Sequence, residues 1–463
     1  MSEPIDRGTA IAVIGAGSSG LPAAKNLREY GFEVDVLERE DDLGGNWNFG
    51  KPNSRVYRST HMISSKPFTQ YPDFPMPDGF PDYPHHAQVL EYFRRYARHF
   101  GLHEVIEFGT SVERVEPVPL AGGSGADESP RWDVTVTKDG RTETRRYAGV
   151  VVANGHNWFP KTPSYPGQED FAGEIIHSAD YKDPGVLRGR RVLVVGAGNT
   201  GCDIAVEGAQ HAEHTYHSTR RGYWYNQKYV FGKPADQVSD VFFGLNLPTR
   251  FIQWAFEKTV RMTVGDFARH GLKEPDHRML ETHPIVNQTL LYYVGHGEIT
   301  PVDDIEHFER DRVVLTDGRA VEVDLVVFCT GYLIRFPFLD EDVIGMQDGR
   351  PELYRHVFHP VHDNLFVIGL IQPDSGQFKL VHWQTVAVAR YLALKDRDPV
   401  RAREFREQVR RHVHERSLGG IEMVDSTRHL VEVEHVDYLR ALARLINEDL
   451  SPRDVLTTAG AAR

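Results

Sequence analysis

Cysteine is almost missing from this chain: Cys202 and Cys329 are the 2 among 463 residues. A disulfide framework or a thiolate metal cluster has no material here, and neither cysteine has a partner at the close spacing a dithiol redox centre needs. No metal centre is expected, and a reducing cytoplasm fits best. Clustered positive charge is also lacking. The 66 acidic residues outnumber the 53 basic ones, for a net charge of −13. The basic side chains are scattered, which excludes nucleic acid as the expected partner, because phosphates are neutralised by clustered Lys and Arg. No run of about 18 apolar residues is present, so no membrane span is expected. The polar opening MSEPIDRGTA lacks the apolar core of a secretion signal, and the tail from Ser451 is equally polar.

What is present is a duplication. The β-branched run Ile11 to Ile14 suits a strand buried on both faces, and it enters Gly15-Ala16-Gly17-Ser18-Ser19-Gly20 and then a helix. Glycines at this spacing let backbone approach a pyrophosphate, and the helix start points its amides at the phosphates. The next strand, Glu33 to Leu37, ends at Glu38, near the roughly 20-residue spacing at which a carboxylate meets an adenosine ribose. Val192 to Val195 repeats the strand, Gly196, Gly198 and Gly201 repeat the glycines, and Asn199, Thr200 and Asp203 open the second helix. The counterpart of Glu38 is Thr219, between Ser218 and Arg220-Arg221. A carboxylate would repel a 2′-phosphate, whereas hydroxyl and guanidinium groups bind one, so the second site favours NADPH over NADH. That Arg220 and Arg221 are a solvated surface pair stays open.

Between and after the repeats lie further signals. Leu43-Gly44-Gly45-Asn46-Trp47 follows the first unit, and HMISSKPFTQYPDFPMP reads as an ordered loop over a site. Val89, Phe93, Tyr96 and Phe100 form one helical stripe. Ser111 to Val118 and Trp132 to Val136 read as strands around a polar hairpin tip, AGGSGADESP, and Val313 to Leu315 with Val321 to Val323 as a second hairpin. Residues 223–284 lack sheet periodicity and read as a largely helical insertion, which could cover a cleft. Phe171, Gly173, His177 and Tyr181 form an aromatic, glycine, histidine, aromatic series just before the second unit. The expected domains are 1–165 with 325–463, and 166–324.

In that order, GAGSSG, GGNW, YPDFPMP, FAGEIIHSADY, GAGNTGCD, STRRGYW, FCTGY and GLIQP resemble the class B flavin-dependent monooxygenases of the flavin-containing monooxygenase family. The resemblance implies an α/β fold with two Rossmann-like dinucleotide-binding domains, the NADPH domain inserted in the FAD domain. It implies FAD at Gly15, Gly17, Ser18, Ser19, Gly20, Glu38, Gly45, Asn46, Trp47, Ser64 and Gln372. NADPH is placed at Gly196, Gly198, Asn199, Thr200, Gly201, Asp203, Ser218, Thr219, Arg220 and Arg221. Phe171, Gly173, His177 and Tyr181 are the family fingerprint, with His177 expected to position the inter-domain joint. The implied chemistry is reduction of FAD by NADPH, capture of O2 as a flavin C4a-hydroperoxide, and oxygenation of nitrogen or sulfur in small lipophilic substrates. No acid/base pair is demanded or visible. Ile63, ahead of Ser64-Ser65-Lys66, stands where the family usually has an Asn beside the flavin, which puts coupling in question: an uncoupled NADPH oxidase is one outcome. Baeyer-Villiger oxidation of ketones is the nearer alternative, and its fingerprint tends to end in Trp where this chain has Tyr181. A flavin-binding sensor without turnover is the alternative of another class. A homodimer is compatible with the chain.

Overall fold

The computed structural model describes residues 3–119, 129–245, 247–426 and 429–452. Two five-stranded parallel sheets organise it. In the first, Ile11–Ile14 is central, flanked by Val34–Leu37 and Ile106–Glu107 on one side and by Gly149–Val152 and Leu365–Val367 on the other. In the second, Arg191–Val195 is central, flanked by His214–Ser218 and Ile299–Val302 on one side and by Leu325–Phe328 and Glu174–His177 on the other. The α/β fold with two dinucleotide-binding units is therefore present, each unit built around its glycine loop. The short β-branched runs form these strands because both faces are covered, and Ile11–Ile14 is buried throughout. The helices Gly20–Glu29 and Phe378–Arg397 pack together beside the first sheet, where the Asn26 amide donates to Thr385 Oγ1 at 2.6 Å.

The units interleave. The first sheet takes its edge strand Leu365–Val367 from beyond the second sheet, and the second takes Glu174–His177 from before its own glycine loop. Leu325–Phe328 is an apolar run that completes the second sheet, so the chain re-enters the first unit after Phe328 and not at the boundary expected at 324. The two crossings lie side by side. Phe159–Pro160 pairs antiparallel with Tyr332–Leu333, and Thr330 Oγ1 donates to the Lys161 carbonyl at 2.6 Å.

The expected hairpins are strands Thr110–Val118 with Arg131–Lys138, extended by Arg141–Tyr147, and Arg312–Leu315 with Ala320–Glu322, extended by Ile305–Phe308. The polar tip at 120–128 and the tail from 453 lie outside the described residues. The stripe of Val89, Phe93 and Tyr96 is buried on helix His86–His99. The 223–284 segment carries helices Ala235–Gly244 and Thr249–Val264. Among the described residues, no helix is long and apolar enough to cross a membrane.

Candidate active site

A cavity of about 470 Å³ opens at the C-terminal ends of the first sheet. Gly15, Gly17, Ser18, Ser19, Glu38, Gly45, Asn46 and Trp47 all line it. Gly20 packs beneath: a Cβ there would lie 1.8 Å from the Gly15 carbonyl oxygen, and one at Gly15, whose φ is +102°, would lie 2.8 Å from the Ala153 carbonyl oxygen. Only backbone fits there; the amide of Gly15 is taken by the Leu37 carbonyl and that of Ala16 by Glu38, and Gly17, Ser18 and Ser19 border the cavity. Glu38 is buried and accepts from the amides of Ala16 at 2.6 Å and Glu40 at 3.0 Å. Burial raises its pKa against those two donors, and the carboxylate keeps acceptor sites for hydroxyls at the cavity wall. The cradle and the carboxylate fit the adenosine diphosphate portion of FAD.

Gln372 does not line this cavity; Gln377 does, and its amide donates to the Gly369 and Ile371 carbonyls at 3.0 Å each. Gly369 is the first residue of GLIQP, and a Cβ on it would meet Ser19 Oγ at 2.0 Å. Sequence spacing did not single out Gln377 or Gly369, because their approach to the glycine loop depends on the edge strand Leu365–Val367.

The second loop repeats the first. A Cβ on Gly201 would lie 1.9 Å from the Gly196 carbonyl oxygen, and one on Gly196, at φ +118°, would lie 2.5 Å from that of Cys329. Asn199 and Thr200 open the helix Asn199–His211, with Gly198 at its N-cap, and the Asn199 side chain is held by the Pro284 carbonyl at 3.1 Å and the Val286 amide at 2.8 Å. Ser218 and Thr219 are buried at the end of the next strand. Arg221 is engaged by Asp276 at 2.8 Å, whereas Arg220 is exposed with no carboxylate paired to it among the described residues. Lys273, from the insertion, donates to the Thr219 carbonyl at 3.0 Å and pairs with Asp303 at 2.5 Å. It adds a cation that spacing could not reveal. The loop, Thr219 and the free Arg220 fit an NADPH phosphate.

Of the fingerprint residues, Phe171 and Gly173 pack within the second unit, whereas His177 and Tyr181 meet residues of the first. Gly173 is required because a Cβ would lie 2.6 Å from the Phe171 ring and 2.9 Å from the Asp324 carbonyl oxygen. Phe171 in turn packs on Phe308 with centroids 5.2 Å apart. Tyr181 is buried, its hydroxyl bonded to Glu207, and its ring meets Tyr57 edge-on at 5.7 Å. Tyr57 donates to Asp203 Oδ2 at 2.7 Å, and Asn287 donates to Asp203 Oδ1 at 2.7 Å. Asp203 and Glu207 are one turn apart on the helix that starts at the second glycine loop. Two tyrosines, one from each unit, thus grip one face of that helix. His177 is buried, its Nδ1 accepts from the Ala179 amide at 3.0 Å, and burial lowers its pKa, so the imidazole is neutral. It shapes its own loop, and its ring meets that of Tyr332 edge-on with centroids 5.5 Å apart. We expect Gly173→Ala to overpack the contact of Phe171 and Asp324 within the second unit at a cost of about 1–3 kcal/mol, read as a lowered thermal transition.

A second cavity, of about 160 Å³, lies where the insertion meets the first unit. Ile63 and Ser64 line it with Phe68, Phe242, Phe256 and Met279. Ser64 Oγ is bonded to Thr69 Oγ1 at 2.8 Å, and the next amide, Ser65, donates to Asp236 of the insertion at 2.6 Å. Ser64 and Ile63 therefore face this smaller space and not the larger one.

A family model described as flavin-binding monooxygenase-like matches residues 8–456. Flavin-containing monooxygenase 5 of Oryctolagus cuniculus is 34% identical over 465 residues, covering 95% of this chain and 83% of its own. Dimethylaniline monooxygenase 2 (N-oxide-forming) of the same species is 32% identical, covering 94% and 82%. A cyclohexanone-bound cyclohexanone monooxygenase structure superposes with a TM-score of 0.69 over 96% of this chain and 98% of its own; at 18% identity it shows the fold. The chain belongs to the flavin-binding monooxygenase-like family and is an FAD-dependent monooxygenase that draws its electrons from NADPH.

Proposed function

We propose that the protein oxygenates nitrogen or sulfur in small lipophilic substrates, which enter the smaller cavity. The observation that carries this is the group of apolar side chains, Phe242, Phe256, Val260, Met279 and Leu280, that the insertion brings to the cavity Ile63 and Ser64 also line. In this reading FAD lies along the larger cavity, with Gly15, Gly17, Ser18 and Ser19 at its pyrophosphate, Glu38 at its ribose, and Gly45, Asn46 and Trp47 toward its ring. Gly196, Gly198, Asn199, Thr200 and Gly201 take the NADPH pyrophosphate, and Ser218, Thr219 and Arg220 its 2′-phosphate. Bound FAD supplies hydride acceptance from NADPH and activation of O2. The chain supplies placement: Tyr57 and Tyr181 hold the nicotinamide unit against the flavin unit, and the insertion keeps water from the reacting face. A sulfide, O2, NADPH and a proton give a sulfoxide, NADP+ and water. The name of the N-oxide-forming relative supports the nitrogen reaction, and the cysteine content supports a cytoplasmic location.

The test is incubation of the FAD-loaded enzyme with NADPH, air and either thioanisole or cyclohexanone. We expect sulfoxide; lactone without sulfoxide would replace this reading by Baeyer-Villiger oxidation. Arg220→Ala should raise the KM for NADPH about tenfold or more and leave that for NADH unchanged, the loss of one charged hydrogen bond to the 2′-phosphate. Ile63→Asn restores an amide to the wall shared with Ser64 and should lower the peroxide released per NADPH consumed. An unchanged peroxide yield would remove Ile63 from the account.

A further inference from the structure

The smaller cavity sets apolar side chains against several carboxyl groups. Phe242, Phe256, Val260, Met279, Leu280 and Val286 line it, as do Asp236 and Asp240 of the insertion, while Asp374, Glu434 and His435 are grouped at one end by the bond from the His435 amide to Asp374. Among the described residues that line it there is no lysine or arginine. Asp374 accepts from the His435 amide at 2.9 Å, and Glu434 caps the last helix, accepting from Val436 at 2.8 Å and Asp437 at 2.7 Å. Burial and the neighbouring Glu434 together push the Asp374 carboxyl well above the usual carboxylate range. Glu432, next to this pair, is joined by His283 at 3.3 Å.

A second observation is independent of the charges. His435 lines the same end of the cavity, is 4% exposed, and its Nδ1 has no hydrogen-bond partner. Its imidazole is held neutral, with a pKa lowered to about 4 by burial and by Lys379, so it presents an acceptor and no compensating charge. A buried acceptor without a donor costs about 1–3 kcal/mol. The cavity end thus combines two carboxyl groups, Lys379 and Arg440 lying behind its lining and not in it, with an imidazole nitrogen without a donor. An N–H-bearing cation satisfies both.

The chemistry decides which cation. A nitrogen is oxygenated through its lone pair, and a carboxylate beside it would hold the proton on that lone pair. The acidic end therefore suits a nitrogen that does not react. We propose that Asp374, Glu434 and His435 anchor an ammonium group remote from the oxygenated atom, so that the enzyme selects bifunctional sulfides or amines carrying a second, cationic nitrogen. This rests on the smaller cavity being the substrate pocket.

Two probes share a reacting sulfur and differ at the far end: 2-(methylthio)ethylamine and 2-(methylthio)ethanol. With the FAD-loaded enzyme, kcat/KM for the ammonium sulfide should exceed that for the alcohol by about tenfold, the size of one charged hydrogen bond. In Asp374→Asn, which keeps an acceptor for the His435 amide, and in Glu434→Gln, the ratio should fall toward unity whichever way the absolute rates move. Displacement of either sulfide by butylammonium or butanol, followed by flavin fluorescence without NADPH, gives the same comparison without turnover. Equal kcat/KM for the two sulfides, a preference that survives both substitutions, or equal binding of butylammonium and butanol overturns the anchor. If neither sulfide is oxygenated, the reading of the protein as a sulfur oxygenase fails, and the binding comparison still decides the anchor.

Discussion

Gly201→Ala should yield a protein that is still yellow and that NADPH barely reduces. The added Cβ would sit 1.9 Å from the Gly196 carbonyl oxygen and 3.3 Å from Cys329 Cβ. The first of these is backbone in a loop fixed by its φ of +118°, so the helix start must retreat and the phosphate site moves with it. A displacement of about 1 Å costs on the order of 10²-fold in a transfer that depends on placement. FAD content is untouched, because the cavity around Gly15 to Gly20 lies in the other sheet. Gly20→Ala should do the reverse: its Cβ would lie 1.8 Å from the Gly15 carbonyl oxygen, and the protein should purify colourless. Flavin absorbance per chain and the rate of bleaching by NADPH without oxygen separate the two. Wild-type reduction of Gly201→Ala would mean that the second loop does not hold NADPH.

Asp203→Ala should both lower the thermal transition and slow reduction. The carboxylate receives Tyr57 and Asn287, each at 2.7 Å, and Tyr57 is 5% exposed. Truncation leaves two donors without an acceptor, each costing about 1–3 kcal/mol. Tyr57 comes from the first unit and Asp203 from the second, so the loss falls on the joint and loosens the placement of one nucleotide against the other. Tyr57→Phe removes a single donor and should have a smaller effect in the same direction. Asp203→Ala with wild-type melting and reduction would show that the tyrosine grip is incidental.

Much of this was legible in the chain itself. The glycine loops were, because the clashes of Gly20 with Gly15 and of Gly201 with Gly196 are local and the residue type records them, although those of Gly15 with Ala153 and of Gly196 with Cys329 cross the sheet. The hairpins were, through alternation such as Trp132, Val134 and Val136, all buried on one face. The change from Glu38 to Thr219 was also readable, since each follows its strand directly. Less visible were contacts made across long separations. Tyr57 reaches Asp203 over 146 positions, and Ser65 reaches Asp236 over 171. Gln377 rather than Gln372 meets the larger cavity because a helix, and not sequence proximity to the motif, aims it. The acidic end of the smaller cavity draws on residues 374 and 434, which no local pattern joins. The boundary after Phe328 was hidden because LVVF reads equally well as a strand of either sheet.

The most direct measurement is a titration of the FAD-loaded protein with NADPH in the absence of oxygen, followed at the flavin absorbance. Bleaching that is complete at one NADPH per bound FAD, and that NADH reproduces only at far higher concentration, is the predicted result. A protein that retains no FAD, or one whose flavin NADH bleaches as readily as NADPH does, would contradict the assignment of two distinct nucleotide sites to this chain.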